Sequence, residues 1–293
     1  MKLFVFYKVK TGLLALFAII ATQVGVAQKF MYQAESSSQG GLRLDYGLTL
    51  GGYLANRGTA NYYNGSTPFQ ANFSQTKLEY IFSNIYYQEA IREQIGNYPF
   101  SLPADPYPNM MRYNAAITIG LFGAAYLSPS FGVIGEFNFA SLKTRDRFAL
   151  NVIRNPLGLE AENIMLIPIW GVEERYDMRL GLQYTILSEE SQIHPFFELG
   201  ASMTNTLVKE NSIRVGSRTF TMHQPQSSLY FQERDYGIGF GGFATIGAKL
   251  AATRSYSLWA GYCANLNKIN LGTNKQFLLQ HTVFIRLSLA SVL

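Results

Sequence analysis

The sequence predicts an all-β protein, an eight-stranded antiparallel up-and-down barrel that crosses a membrane and carries long extracellular loops. One observation is a long alternation of apolar and polar residues, first seen in 41–56 (GLRLDYGLTLGGYLAN). A soluble strand needs only about five or six residues, whereas a tilted strand that crosses a bilayer needs roughly 9–11. A second is a charged fraction of 15%, against about 25% in ordinary soluble domains. The third is a regular exchange of short and long connections between the alternating segments.

The alternating segments form a series of eight along the chain, and each is long enough to cross the hydrocarbon layer. They are 41–56, 113–127, 131–142, 175–187, 194–207, 236–250, 255–267 and 279–291. The connections after the second, fourth and sixth segments are tight turns, and the other connections are long. Short turns at one end of the strands and long loops at the other are typical of barrels in outer membranes.

Alternation alone leaves open which face of the barrel is inside. A secreted soluble barrel that binds a ligand would turn its apolar face inward and cover its outer face with Lys and Glu. Here the polar face consists mostly of Gly, Ser, Thr, Asn and Gln, and the apolar face of Leu, Ile, Val, Phe and Tyr. Small polar residues suit a crowded lumen, so the sequence favours lipid outside, with the soluble barrel as the alternative.

The charged residues of the polar face are predicted to point into the lumen. They are Arg43, Asp45, Glu136, Arg175, Asp177, Arg179, Glu198, Lys249 and Arg286. Isolated charges in so narrow a space would be costly, so four acids beside five bases predict an interlocked ion-pair network. Such a network favours a plugged barrel, and a narrow selective channel is the alternative.

The N-terminus has the features of a secretory signal peptide at 1–27. Lysines precede an apolar run at 12–21 that is too short to span a bilayer as a helix, and small residues precede Gln28. An N-terminal membrane anchor is the alternative. The remaining chain divides into a periplasmic segment at 28–40 and the barrel domain at 41–293.

The first long connection, 57–110, is predicted to be an extracellular loop with a helix. Thr76 and Glu79 have the spacing of a capping box, and Gly96 suits a helix stop, so one helix of about nineteen residues should lie between them. A stiff segment rich in proline follows. This loop is either a docking surface or lid, or it packs on the rim of the barrel. The candidate contact residues are Tyr98, Phe100 and Tyr107.

Catalytic chemistry, metal binding and cofactors are not expected. An outer-membrane lipase or acyltransferase would need a nucleophile beside a histidine, and the histidines His194, His223 and His281 are scattered. Only His223 has serines close by, in a loop. Three histidines and the single Cys263 make no metal-ligand cluster. Nucleic acid is also a poor partner, because no basic patch is interleaved with aromatic residues.

The signal that ends at Ala27 before Gln28, the strands rich in Gly and Tyr, and the long loops together resemble a known group of proteins. These are the outer-membrane β-barrel proteins of Bacteroidota, including PorT-like barrels linked to type IX secretion and, more distantly, OmpA-like barrels. The resemblance implies an outer-membrane location, contact with outer-membrane lipid, and insertion by the barrel assembly machinery. It also implies a non-catalytic structural or interaction role, as an accessory of a secretion or envelope complex. A small channel is the second interpretation, and a secreted ligand-binding barrel is the third.

Overall fold

The computed structural model describes residues 43–66, 78–154, 163–188, 191–222, 236–251, 256–271 and 276–292. The predicted signal peptide and the periplasmic segment lie outside these ranges. The strands are β1 Arg43–Leu54, β2 Phe100–Ser101, β3 Ala116–Tyr126, β4 Phe131–Val152, β5 Ile164–Thr185, β6 Ile193–Val215, β7 Arg218–Thr221, β8 Tyr236–Ala251, β9 Tyr256–Ile269 and β10 Phe277–Val292. The helices are α1 Arg57–Ala60, a 3-10 helix at Asn61–Asn64, α2 Leu78–Ser83 and α3 Ile85–Gln94.

Eight of the strands form a closed antiparallel ring, as predicted. The ring runs β1, β3, β4, β5, β6, β8, β9, β10 and returns to β1. Closure is made by β1, whose Tyr46 lies opposite Gly123 of β3 on one side and Leu289 of β10 on the other. The short strands β2 and β7 lie outside the ring and pair with β4 and β6. A closed ring satisfies the backbone hydrogen bonds without an exposed edge.

The alternation along the ring places apolar residues outside and polar residues inside. Leu48 is 60% exposed and Ile117 is 73% exposed, whereas Thr49 and Thr118 are buried. Apolar side chains are therefore exposed and polar side chains buried, the reverse of a soluble protein, because the outer face meets lipid. This result confirms the lipid-facing interpretation and contradicts the soluble ligand-binding barrel.

Three strands are longer than the sequence predicted. The segments 131–142, 175–187 and 194–207 were expected to end at the membrane, but β4 and β5 have 22 residues each and β6 has 23. Beyond the lipid the two faces exchange roles. In β4, Lys143 and Arg145 point outward to water, and Phe148 and Leu150 point inward and are buried. The sequence prediction required apolar residues on the outer face. Each predicted strand therefore ends where the outer face becomes polar.

The part of loop one that is predicted as one helix contains two, α2 and α3. Asn84 interrupts the chain between α2 and α3, with an extended backbone (φ −73°, ψ 122°), and its side chain accepts a hydrogen bond from the backbone N–H of Tyr86. It therefore caps the start of α3. The expected stop is at Gly96, which has a φ of +83°. Thr76, the other half of the predicted capping box, lies outside the described residues.

Loop one folds into the extracellular half of the barrel and forms a cap there. Tyr63 and Leu78 from the loop pack with Phe148 of β4 and Ile167 of β5 in one buried apolar cluster. The Tyr63 ring lies against Gly171, where any side chain would overlap with it. The cap therefore has its own hydrophobic core, enclosed by the extended strands. None of the helices in the described ranges is long and apolar enough to cross a membrane.

Candidate functional site

The lumen below the cap holds the charged residues in connected layers. In the layer nearest the short turns, Lys249 of β8 donates to Asp45 of β1 at 2.6 Å. Arg43 approaches the same carboxylate at 3.3 Å, with its own side chain 31% exposed. The Lys249 ammonium also lies 4.6 Å from the centre of the Trp259 ring. This layer thus joins strands that are not neighbours in the ring.

The middle layer is centred on Arg286 of β10. Its guanidinium donates to Glu198 of β6 at 2.5 Å and to Glu136 of β4 at 3.1 Å. Arg179 of β5 donates to Glu136 at 3.2 Å, and the Thr49 hydroxyl donates to it at 3.0 Å. Because β10 is three strands away from both β4 and β6 in the ring, the Arg286 side chain reaches across the lumen. Arg179 and Glu136 are opposite each other on neighbouring strands, so their contact runs along the wall.

The next layer is built around Asp177. Its carboxylate accepts from Arg179 at 2.6 Å, from the Thr204 hydroxyl at 2.8 Å and from the Asn265 amide at 3.2 Å. Asn267 extends the network by donating to Thr204 at 2.6 Å. Charge-assisted hydrogen bonds of this kind are the stronger class of protein hydrogen bond. They hold three strands of the wall together from the inside.

The uppermost layer connects the barrel to the cap. Glu173 accepts from Arg175 at 2.6 Å and from the hydroxyls of Tyr63 and Tyr113, each at 2.8 Å. Burial and the adjacent Glu173 carboxylate raise the pKa of the Tyr63 phenol well above its ordinary value, so this phenol stays protonated and donates. A buried carboxylate thereby bonds the cap to the wall.

Arg175 extends this layer to the opposite wall. Its guanidinium donates to Gln280 of β10 at 2.7 Å, to the Tyr53 hydroxyl of β1 at 3.0 Å and to the Thr59 hydroxyl of the cap at 2.7 Å. Arg175 and its partner Glu173 are both buried. One side chain thus joins three ring strands and α1.

Glu173 is the charged residue that the sequence reasoning missed. The segment was taken to begin at Arg175, although Glu173 precedes it by two positions and therefore has the same parity. With Glu173 the charges of these connected layers balance, with as many acids as bases. The acids are Asp45, Glu136, Glu173, Asp177 and Glu198, and the bases are Arg43, Arg175, Arg179, Lys249 and Arg286.

Aromatic side chains occupy the lumen beside the charges. Trp259 is fully buried and packs against Phe122 and Phe196, with ring centres 5.0 and 5.5 Å apart. The Arg286 guanidinium lies 4.2 Å from the centre of the Phe284 ring. Cation–π contacts add to the attraction between these groups where water is excluded.

The candidate contact residues of loop one differ in exposure. Tyr98 is 41% exposed. Phe100 is half-buried, with its ring 5.8 Å from that of Phe82. Tyr107 is also half-buried and its hydroxyl donates to Glu79. Phe100 and Tyr107 thus pack partly against the core of the cap, and the contact role of the three residues stays a prediction.

The two histidines in the described ranges lie on separate strands. His194 lies at the start of β6, and His281 lies on the outer face of β10, 2.5 Å from the Tyr262 hydroxyl. His223 lies outside the described residues. Within the described ranges, no group of three His, Cys, Asp or Glu residues could hold a metal ion. Cys263 is buried in the lumen.

Comparison with known proteins finds similar solved structures, among them outer-membrane barrels. No protein-family model and no curated protein sequence matches the chain. Neisserial surface protein A is 8% identical, covering 86% of this chain and 99% of its own, with a TM-score of 0.42. Ail of Yersinia pestis, solved with the heparin analogue sucrose octasulfate, is 10% identical over 86% and 100%, with a TM-score of 0.36. OprG of Pseudomonas aeruginosa is 10% identical over 86% and 94%, with a TM-score of 0.32.

The membrane location follows from the chain's own geometry. A closed ring of eight strands, apolar outside and charged inside, can be solvated only by lipid around its girth. Bacterial barrels with this arrangement, short turns at one end and long loops at the other, lie in outer membranes. The chain is an eight-stranded β-barrel of the outer membrane.

Proposed function

We propose that the protein is a non-catalytic structural and interaction component of the outer membrane, an accessory of a secretion or envelope complex. The barrel would serve as a closed scaffold, and loop one would carry the contact with an envelope partner. The observation that carries this proposal is the placement of Arg286 between Glu136 and Glu198, which come from separate strands of the ring.

The packing of the lumen supports a plugged barrel over a channel. An eight-stranded barrel leaves room only for its own side chains, and here the space is occupied by ion pairs and by buried aromatic rings such as Trp259. Above these layers, the cap places a second, apolar cluster across the extracellular half. An ion that entered the lumen would have to displace the charged layers and also the apolar core of the cap.

The surface of the cap supports a contact role for loop one. Ile85 and Tyr86, at the start of α3, are 77% and 86% exposed, although they lie on the water side of the barrel. The same loop has an open cleft of about 320 Å³ between α2, α3 and residues 100–102, lined by residues that include Phe82, Arg92 and Phe100. Exposed apolar residues beside a cleft are a common feature of protein interaction sites.

Planar bilayers test the plugged scaffold. Refolded protein, with its heat-modifiable gel mobility as the control for folding, should give no steady conductance. Arg286→Ala should destabilise the barrel without opening a baseline current. A steady, ion-selective current through the wild-type protein would overturn the plug and favour the small channel.

Native gels of outer-membrane extracts test the contact role. Ile85→Ser combined with Tyr86→Ser should remove the protein from a larger complex and leave the folded barrel intact. Ile153→Ser combined with Ile164→Ser is the matched control, because both isoleucines are exposed at the extracellular ends of β4 and β5. Migration of the wild-type protein as a free barrel, or equal loss in both variants, would refute the contact role.

A further inference from the structure

The outer wall above the membrane carries a row of basic residues that the lumen network does not use. Lys143, Arg145 and Arg147 are exposed at successive outward positions of β4, and we call them the basic row. Outward positions on one strand repeat about every 6.6 Å, so the row is roughly 13 Å long. We propose that the basic row binds the phosphate groups of an anionic glycolipid in the outer leaflet. This inference goes beyond the proposed function and requires only the membrane location.

The residues opposite the basic row on β5 carry no charge that could compensate it. The cross-strand partners on β5 are Val172 for Lys143, Trp170 for Arg145 and Pro168 for Arg147. The acid nearest in sequence is Asp146, which is half-buried and accepts from the backbone N–H of Arg147 at 2.8 Å. Uncompensated cations on an exposed strand attract anions at the membrane surface.

The neighbouring strands continue the positive surface. On β6, the Arg214 guanidinium lies 5.6 Å from the centre of the Trp170 ring. Lys209 pairs with Glu174 of β5 at 3.5 Å. The outward charges of this part of β4, β5 and β6 therefore comprise five bases and two acids, a net charge of +3. The bases are Lys143, Arg145, Arg147, Lys209 and Arg214, and the acids are Glu174 and Glu210.

The height of the row above the membrane selects the kind of lipid. The aromatic rings of Phe139 and Tyr176, 5.3 Å apart on the outer wall, mark the upper edge of the lipid-facing band. Lys143 is four residues beyond Phe139 and Arg147 is eight, or about 10 and 20 Å higher on a strand tilted by roughly 40°. A phospholipid headgroup layer is only about 5–8 Å thick. A taller, phosphate-bearing glycolipid headgroup reaches the whole row.

The chemistry of the row suits phosphate. Arginine guanidinium groups bind phosphate oxygens through two parallel hydrogen bonds, and lysine adds a point charge. Trp170, half-buried between Arg145 and Arg214, has the amphipathic ring that is enriched at membrane interfaces. Glycolipid bound here would rest against the wall of β4 to β6.

Co-purification with defined lipids tests the proposal. The protein is refolded in neutral detergent, incubated with lipopolysaccharide, with enzymatically dephosphorylated lipopolysaccharide or with phosphatidylglycerol, and the lipid retained per barrel is measured by native mass spectrometry. Wild-type protein should retain the phosphorylated glycolipid about tenfold or more over the other two. Lys143→Gln with Arg145→Gln and Arg147→Gln should lose that excess.

A control of equal charge separates site binding from general attraction. Arg57 of α1, Arg112 before β3 and Arg218 at the start of β7 are exposed basic residues outside the basic row. Their triple change to Gln should leave retention of the phosphorylated glycolipid unchanged. Equal loss in both triples, or equal retention of the dephosphorylated lipid or of phosphatidylglycerol by the wild-type protein, would overturn the proposal. The lipid comparison needs no mutation, so it can overturn the proposal even if a variant fails to fold.

Discussion

Replacing Arg286 with methionine should destabilise the barrel strongly, because it leaves two buried carboxylates without their shared cation. Glu136 would keep Arg179 at 3.2 Å and the Thr49 hydroxyl at 3.0 Å, but Glu198 would keep only the Gln183 amide at 3.0 Å. Removing one partner of a buried ion pair costs about 3–5 kcal/mol. We expect a loss of this size in the free energy of unfolding, with the larger share at Glu198.

The assay is urea unfolding of protein refolded in vesicles, followed by gel mobility and tryptophan fluorescence. Arg286→Met combined with Glu198→Gln should recover part of the loss, because a neutral amide can still accept from Gln183. A double-mutant cycle isolates the coupling between the two sites. Arg145→Gln, on the outer wall, is the control and should leave the unfolding midpoint unchanged. If Arg286→Met lowers the free energy of unfolding by less than about 1 kcal/mol, the Arg286 ion pairs are no stronger than solvent-exposed ones. That result would refute a lumen network that excludes water.

Further predictions concern the cap. Glu173→Gln should weaken the bonds to Tyr63 and Arg175 and lower the free energy of unfolding by about 2–4 kcal/mol. Limited proteolysis should then cut loop one while the membrane strands stay protected. An unchanged cleavage rate would contradict the attachment of the cap through Glu173. The side chain introduced by Gly171→Val should overlap with the Tyr63 ring and lower the stability by about 1–3 kcal/mol. A thermal unfolding temperature equal to that of the wild-type protein would contradict this. Asn84→Ala should remove the α3 cap and cost about 1 kcal/mol, whereas Asn84→Asp should not, as measured by the same thermal unfolding.

Much of the lumen was predictable because the face of a strand residue depends only on its position in the alternation. Parity alone assigned Asp177 and Arg179 to the inner face, where the structure places them. It also assigned Leu180 to the lipid, where it is 66% exposed. Glu173 has the same parity. It was missed only because the predicted segment begins at Arg175, where the outer face changes from polar to apolar.

The contacts of loop one could not be predicted from its sequence. Phe100 and Tyr107 are aromatic residues in a proline-rich segment, a composition that suits an exposed arm as well as a packed one. Their burial depends on the extended walls of β4 to β6, which supply Phe148 and Ile167 to the same core. The break at Asn84 was also missed, because asparagine is tolerated within a helix and acts as a cap only where the backbone is extended.

The sequence by itself determined the eight-stranded barrel, its orientation toward lipid and most of the charges on its inner face, because these follow from a local period of two. Only the tertiary structure decided that Arg286 lies between Glu136 and Glu198, and that Glu173 holds the cap. Those pairings join residues far apart in the chain. They depend on the stagger and tilt that the strands adopt when the ring closes, which no single segment specifies.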